Sequence, residues 1–222
     1  MGEIIKIGSE KDRGFKQNVG PGYSDRRGIS DIDFELKDTG SEYTFRDVVD
    51  TLFEIFPSEQ LEVVEGGCGF AYILKDLQTM AQNQGVSVTT TGITKEVRHE
   101  EAASYLDRLL IGTLQEAQSK KVLPNSHYHL AIDIRGAAHY DREDTILPIY
   151  HDLLKIDGLL FIWIMQLNPQ NGWMQLGGEK YAKTKESEMV ELLKQNGFES
   201  IWRTSEYALL KKKGHNTSSP GV

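Results

Sequence analysis

The sequence predicts a three-layer α/β/α sandwich around a mostly parallel sheet, closed by a C-terminal antiparallel hairpin. Three observations carry that prediction. The stretch Leu61-Glu62-Val63-Val64-Glu65 is a short strand-like run that ends in a glycine cluster and passes into a helix-periodic segment. Adjacent Val63 and Val64 mark a strand buried on both faces, as in a parallel sheet. Strand-like and helix-like segments then alternate along most of the chain, and the last two strands are separated only by Ser205-Glu206.

Composition bounds the function. The chain has 222 residues, enough for one α/β domain with a sizeable core. Hydrophobic residues make up 39% and charged residues 26%, in the ordinary range for a globular protein. A formal net charge of −8 argues against a dedicated nucleic-acid binder. A single cysteine, Cys68, excludes an internal disulfide and fits a reducing compartment. The first residues lack a signal-peptide core, and the apolar run from Leu159 to Met165 is too short to span a bilayer, so a cytoplasmic location is expected.

Residues 1–41 carry many glycines and charges and hold no period; they read as an N-terminal arm or lid, or as a plain tail. Apolar residues such as Phe15, Tyr23 and Phe34 would anchor an arm. The main domain is expected over residues 42–213, with a polar tail at 214–222. Thr44 followed by Asp47 reads as a helix start, and Phe45, Val48, Val49, Leu52 and Phe56 form its apolar stripe up to Pro57. After the glycine turn, Phe70, Ile73, Leu74, Leu77 and Ala81 recur at helical spacing, with Gly85 as the C-terminal cap. Val86 to Thr91 is β-branched and reads as the next strand. Residues 96–106 read as a helix, Leu109 to Thr113 as a third strand, and His127 to Gly136 as a fourth strand with its exit loop. Ile146, Ile149, Tyr150, Leu153 and Leu154 make another helical stripe, followed by a strand through Leu159 to Ile162. Residues 167–183 are rich in turn signals and read as a long loop in which Trp173 and Met174 are substrate walls or packing residues. Thr184 to Asn196 is helical, with Gly197 as cap.

A strand, a glycine turn and a helix aim main-chain N–H groups at one spot, which suits an anionic ligand group. The dinucleotide pattern G-x-G-x-x-G fails here, because the third glycine would fall on Tyr72. Glu65-x-Gly67-x-Gly69-x-Ala71, with Cys68 between the glycines, instead resembles the first motif of class I S-adenosylmethionine-dependent methyltransferases. Gly92-Ile93-Thr94 is similar to the end of the second strand in the cyclopropane fatty-acid synthase-like members, with Thr94 where an acidic residue is usual. Gly112-Thr113 stands where Gly-Asp is common, His129 replaces the aspartate of the fourth strand, and Ile156-Asp157 replaces a Pro-Gly pair before Gly158. The resemblance covers about residues 43–213.

The resemblance implies a seven-stranded sheet with its last strand antiparallel, S-adenosyl-L-methionine as cofactor, and methyl transfer as the reaction. Glu65, Gly66, Gly67, Cys68 and Gly69 would take the cofactor's amino-acid end. Thr94 would take the ribose, with Lys95 or Glu96 in support, and Thr113, Leu114 and Gln115 the adenine. Asp133, Arg135, His139 and Tyr140 would line the methyl-transfer end, with His139, Asp133 and Tyr140 the catalytic candidates and Asp133 also touching cofactor. Ordinary loop roles for Thr113, Gln115 and His139 remain open. No metal is expected, and a small-molecule acceptor is preferred. The rival reading is a non-catalytic methyltransferase-like module that binds a partner protein or the cofactor without turnover, favoured by Thr94, Thr113 and His129. A nucleotide-dependent oxidoreductase is disfavoured by Tyr72 and Thr94.

Overall fold

The structure, a computed structural model, describes residues 2–8, 27–57, 60–140, 143–164, 173–176, 179–182 and 186–214; for residues 97, 139, 140, 143, 144, 173–176, 179–182 and 186–190 only the backbone course is described. Among the described residues, eight strands form one sheet. In chain order they are β1 (Glu3–Lys6), β2 (Leu61–Gly66), β3 (Val88–Thr94), β4 (Arg108–Ile111), β5 (Tyr128–Asp133), β6 (Leu154–Trp163), β9 (Phe198–Arg203) and β10 (Tyr207–Lys212). Their spatial order is β1-β4-β3-β2-β5-β6-β10-β9. Neighbours from β1 through β6 are parallel, and β10 runs antiparallel to both β6 and β9. The expected layout of a mostly parallel sheet with a closing hairpin is present, with β1 as an eighth strand beyond the seven expected.

Adjacent residues on the central strands serve opposite cores, which explains why those strands read as continuous apolar runs. Val63, Leu159, Phe161 and Leu209 join one cluster with α1 (Ile29–Asp38), α2 (Phe45–Ile55) and α3 (Tyr72–Asn83). Val64, Leu160, Ile162 and Leu210 join the other, with α4 (Leu114–Ser119), α6 (Glu143–Leu153) and α7 (Glu186–Gln195). The short α5 (Ala137–Tyr140) follows β5.

The helix starts have local causes. Thr44 and Asp47 close a capping box on α2, with Thr44 N–H donating to Asp47 Oδ2 at 2.6 Å. Two side-chain bonds fasten the helices of this layer to one another: Phe45 N–H donates to Asp33 Oδ1 at 2.6 Å, and Ile29 N–H donates to Asp76 Oδ2 at 2.9 Å. Gly85, at φ 72°, follows α3 in the left-handed conformation that glycine adopts freely.

Several local expectations change. Both described ends of residues 1–41 carry regular structure: β1 extends the sheet beside β4, and α1 packs on the core. Residues 9–26, which include Phe15 and Tyr23, lie outside the described residues, as does the tail beyond 214. Within residues 96–106, expected as a helix, Val97–Ser104 forms a 3-10 helix. The long loop expected over 167–183 contains two short strands, β7 (Trp173–Leu176) and β8 (Glu179–Ala182), paired antiparallel in a sheet of their own. Asp157 takes a left-handed φ of 63° inside β6, at an irregularity between the pairings Tyr128 with Leu154 and Leu130 with Leu159. The residues that stand in for a Pro-Gly turn are therefore a kink within a strand.

Phe161 ties the layers together. Its ring meets Phe45 edge-on at 5.4 Å and stacks on Tyr207 at 5.7 Å. Phe161→Ala should cost about 3–5 kcal/mol, a drop of roughly 6–20 °C in melting temperature by calorimetry. A smaller drop would mean that the aromatic cluster closes over the cavity.

Candidate functional site

The C-terminal ends of β2, β3, β4 and β5 carry nearly all the residues picked out in the sequence. The chain runs from β2 to β3 and β4 on one side, and later from β5 to β6 on the other. The switch point therefore lies between β2 and β5, where open α/β sheets bind ligands.

The turn after β2 needs its glycines. Gly67 and Gly69 have φ of 77° and 53°, and Ala71 follows at 55°. A Cβ on Gly66 would overlap the Tyr150 hydroxyl, and one on Gly67 would overlap Cα of Gly136. A Cβ on Gly136 would in turn overlap the Gly66 carbonyl oxygen. The exits of β2 and β5 are thus packed main chain against main chain, which no side chain permits. Cys68 turns inward: its N–H donates to Ile93 O at 2.8 Å, and its thiol lies beneath Gly92, where a Cβ would come within 2.8 Å of Sγ. Burial, then the charge of Glu65, pushes that thiol pKa well up.

Asp133 organises the other half. The side chain is buried, with Gly136 N–H donating to Oδ1 at 3.1 Å. Ala138 N–H donates to Oδ2 at 2.9 Å and the Tyr150 hydroxyl at 2.7 Å. Tyr150, in the middle of α6, read in the sequence only as a member of an apolar stripe. Burial, reinforced by Asp133, raises its phenol pKa well above the ordinary value.

Glu65 sits at the end of β2 just before the turn and is 3% exposed. Its Oε2 is buried without a protein hydrogen-bond partner. Burial, and secondly the charge of Asp133, holds its pKa well above the usual carboxylate range. A buried acceptor of this kind suits a ligand's ammonium or hydroxyl group.

The remaining candidates are engaged locally. Thr94 Oγ1 lies 2.6 Å from Nδ1 of His99 and accepts from Glu96 N–H at 3.3 Å. His99, in the 3-10 segment, packs edge-on against Phe70 at 4.6 Å and was not singled out in the sequence. The Glu96 carboxylate is paired with Arg98. Thr113 caps α4, its Oγ1 accepting from Glu116 N–H at 3.0 Å, and Leu114 is buried in the core. Gln115 is half-buried in the first turn of the same helix. Residues 139 and 140 continue α5 from the loop that Asp133 holds, but the side chains of His139 and Tyr140 lie outside the described residues, as do those of Trp173 and Met174. His129 lies at the other end of β5, where Nδ1 accepts from Glu62 N–H at 2.9 Å, so it does not join this group. Beside the turn, Tyr105 donates to Phe70 O and its ring stacks with Tyr72 at 6.3 Å; burial is the main cause of a phenol pKa pushed up to about 12.

No family model matches the chain, and no curated protein matches it. Solved structures of methyltransferases do match in fold. One is a S-adenosylmethionine-dependent methyltransferase from Methanosarcina mazei, at 14% identity and a TM-score of 0.51, covering 70% of this chain and 94% of that one. Another is the 1,6-didemethyltoxoflavin-N1-methyltransferase of Burkholderia thailandensis, solved with 1,6-didemethyltoxoflavin and S-adenosylhomocysteine, at 16% identity and a TM-score of 0.51, covering 84% and 85%. A third is the CMeT domain of the citrinin polyketide synthase, at 16% identity and a TM-score of 0.51; the match covers 70% of this chain and 48% of that structure, so this chain spans about half its length. The fold is that of the class I, Rossmann-like methyltransferases.

Glu65 gives the site a pH signature. Its folded-state pKa is raised, so its contribution to stability is complete below the unfolded carboxylate value and is lost as pH rises toward the folded value. In ligand-free protein, the melting temperature of Glu65→Gln relative to wild type should therefore climb from pH 5 to pH 8. A constant difference would mean that Glu65 ionises normally.

Proposed function

We propose that this chain is an S-adenosylmethionine-dependent methyltransferase acting on a small-molecule acceptor. The carrying observation is the buried, unpartnered Glu65 oxygen beside a left-handed glycine turn at the switch point. When bound, the cofactor supplies a methyl group already activated by its sulfonium.

The chain's own contribution is positioning and exclusion of water. Glu65 and the turn from Gly66 to Gly69 would hold the amino-acid end, with Glu65 accepting from the ammonium; a cation there would favour the ionised carboxylate. Thr94 and the Thr113–Gln115 turn would flank the ribose and adenine. Thr94 offers a hydroxyl already shared with His99 and Glu96 in place of the usual carboxylate, so the ribose hold rests on weaker acceptors. Asp133 acts as a positioning residue: it fixes the loop from which α5 starts and so sets the course of His139 and Tyr140, the candidates for taking a proton from the acceptor.

S-adenosylhomocysteine at about 100 times its Kd should add about 2.7 kcal/mol of stability, raising the melting temperature by roughly 5–10 °C, whereas NAD should add nothing. No shift with millimolar S-adenosylhomocysteine, or a shift with NAD alone, overturns the reading. Binding without transfer of the labelled methyl group to any acceptor pool would instead leave a cofactor-binding module.

Thr94→Asp restores a carboxylate at the ribose end. Calorimetric titration should show S-adenosylhomocysteine binding strengthened by about 1–2 kcal/mol. Weaker binding by a folded variant would show that the ribose is held elsewhere.

A further inference from the structure

Three of the five residues from Gly67 to Ala71 hold a left-handed φ, and the last of them, Ala71 at 55°, carries a Cβ. A side-chain residue keeps that conformation only where its surroundings hold it. Inside the turn, Ala71 N–H donates to Cys68 O at 2.7 Å. From outside, the main chain is fastened on both sides of Gly69. Before it, Cys68 N–H donates to Ile93 O at 2.8 Å; after it, the Tyr105 hydroxyl donates to Phe70 O. The second bond comes from a residue 35 positions away in sequence.

Tyr105 is itself well anchored. It ends the 3-10 segment between β3 and β4, its N–H donating to Ala102 O at 3.2 Å. Its ring lies 6.3 Å from that of Tyr72 and 14° from parallel, and Lys75 Nζ stands 5.2 Å from its centroid. Tyr72 opens α3 and Lys75 lies in its first turn, directly after the left-handed Ala71. Burial is the main cause of a phenol pKa of about 12, so the hydroxyl keeps its proton and stays a donor through neutral and alkaline pH. The same 3-10 segment also meets the Phe70 side chain, with the His99 ring edge-on to it at 4.6 Å. Phe70 is therefore held by its carbonyl and by its ring from one stretch of chain. A phenyl ring at position 105 would keep the ring contacts. What the hydroxyl adds is the course of the main chain from Gly69 to Ala71, just past the buried Glu65 oxygen.

We propose that Tyr105 is a positioning residue for the amino-acid end of the cofactor: its bond to Phe70 O holds the left-handed turn in the form that receives the ligand. This rests on the methyltransferase reading above. The adenosine end does not depend on that bond. Thr94 and Thr113 follow other strands and have partners of their own, His99 and Glu96 for the first and Glu116 for the second.

The test titrates two ligands into the full chain by calorimetry. S-adenosylhomocysteine carries the amino-acid end; 5′-methylthioadenosine keeps the adenosine and the sulfur without it. Tyr105→Phe should weaken S-adenosylhomocysteine roughly five- to tenfold and leave 5′-methylthioadenosine within about twofold of wild type. A bond that served stability alone would not change the ratio of the two affinities. In ligand-free protein, hydrogen exchange at the Ala71 amide should quicken in Tyr105→Phe while the β3 amides keep their wild-type rates. Tyr72→Phe, which leaves the Phe70 bond in place, should bind both ligands as wild type does. Unchanged S-adenosylhomocysteine affinity in Tyr105→Phe, an equal loss for both ligands, wild-type exchange at Ala71, or a Tyr105→Phe chain that fails to fold overturns the proposal. Failure of wild type to bind S-adenosylhomocysteine would instead strike the methyltransferase reading.

Discussion

Two main-chain N–H groups, from Gly136 and Ala138, and the Tyr150 hydroxyl converge on the Asp133 carboxyl. The rest of the C-terminal edge depends on that convergence. It bends the exit of β5 back on itself and starts α5. It also brings α6 close enough for the Tyr150 hydroxyl to stand over Gly66, where a side chain would overlap it. The left-handed φ of Arg135 is part of the same bend, so one buried carboxyl sets both the floor of the site and the direction of the arginine beside it.

Glu65 and Asp133 illustrate how two buried acids on neighbouring strands divide their roles. Asp133 is surrounded by donors, which stabilise a carboxylate. Glu65 has a buried oxygen with no donor from the protein and feels the charge of Asp133. The first arrangement is complete without a ligand. The second is not, and a ligand that brings a positive charge would complete it.

Much of the fold was legible because its signals are local. Paired valines, a glycine turn, the Thr44–Asp47 box and the closing strand pair each occupy a few consecutive residues, and each appears where it was read. β1 was illegible: it has four residues, lies at the sheet edge and shows no alternation long enough to register. Residues 96–106 could be read as helical, but the 3-10 kind over 97–104 could not, because the same residues suit either. In the site, the strand ends could be read off because glycines and acids mark them, but their partners could not. Tyr150 is 17 positions from Asp133. Thr94 could be seen to lack the usual charge, while His99 at its hydroxyl followed from the 3-10 turn, which depends on tertiary packing.

The main-chain contact between Gly66 and Gly136 has a consequence for discrimination among ligands. Two loops that touch through their backbones, with no side chain between them, have few rotamers to freeze and few alternative arrangements to lose. Such a floor comes preorganised, and a ligand settling on it gives up little conformational entropy of the protein. Discrimination among ligands would then fall to side chains around that floor, which give up rotamer freedom when they close on a guest.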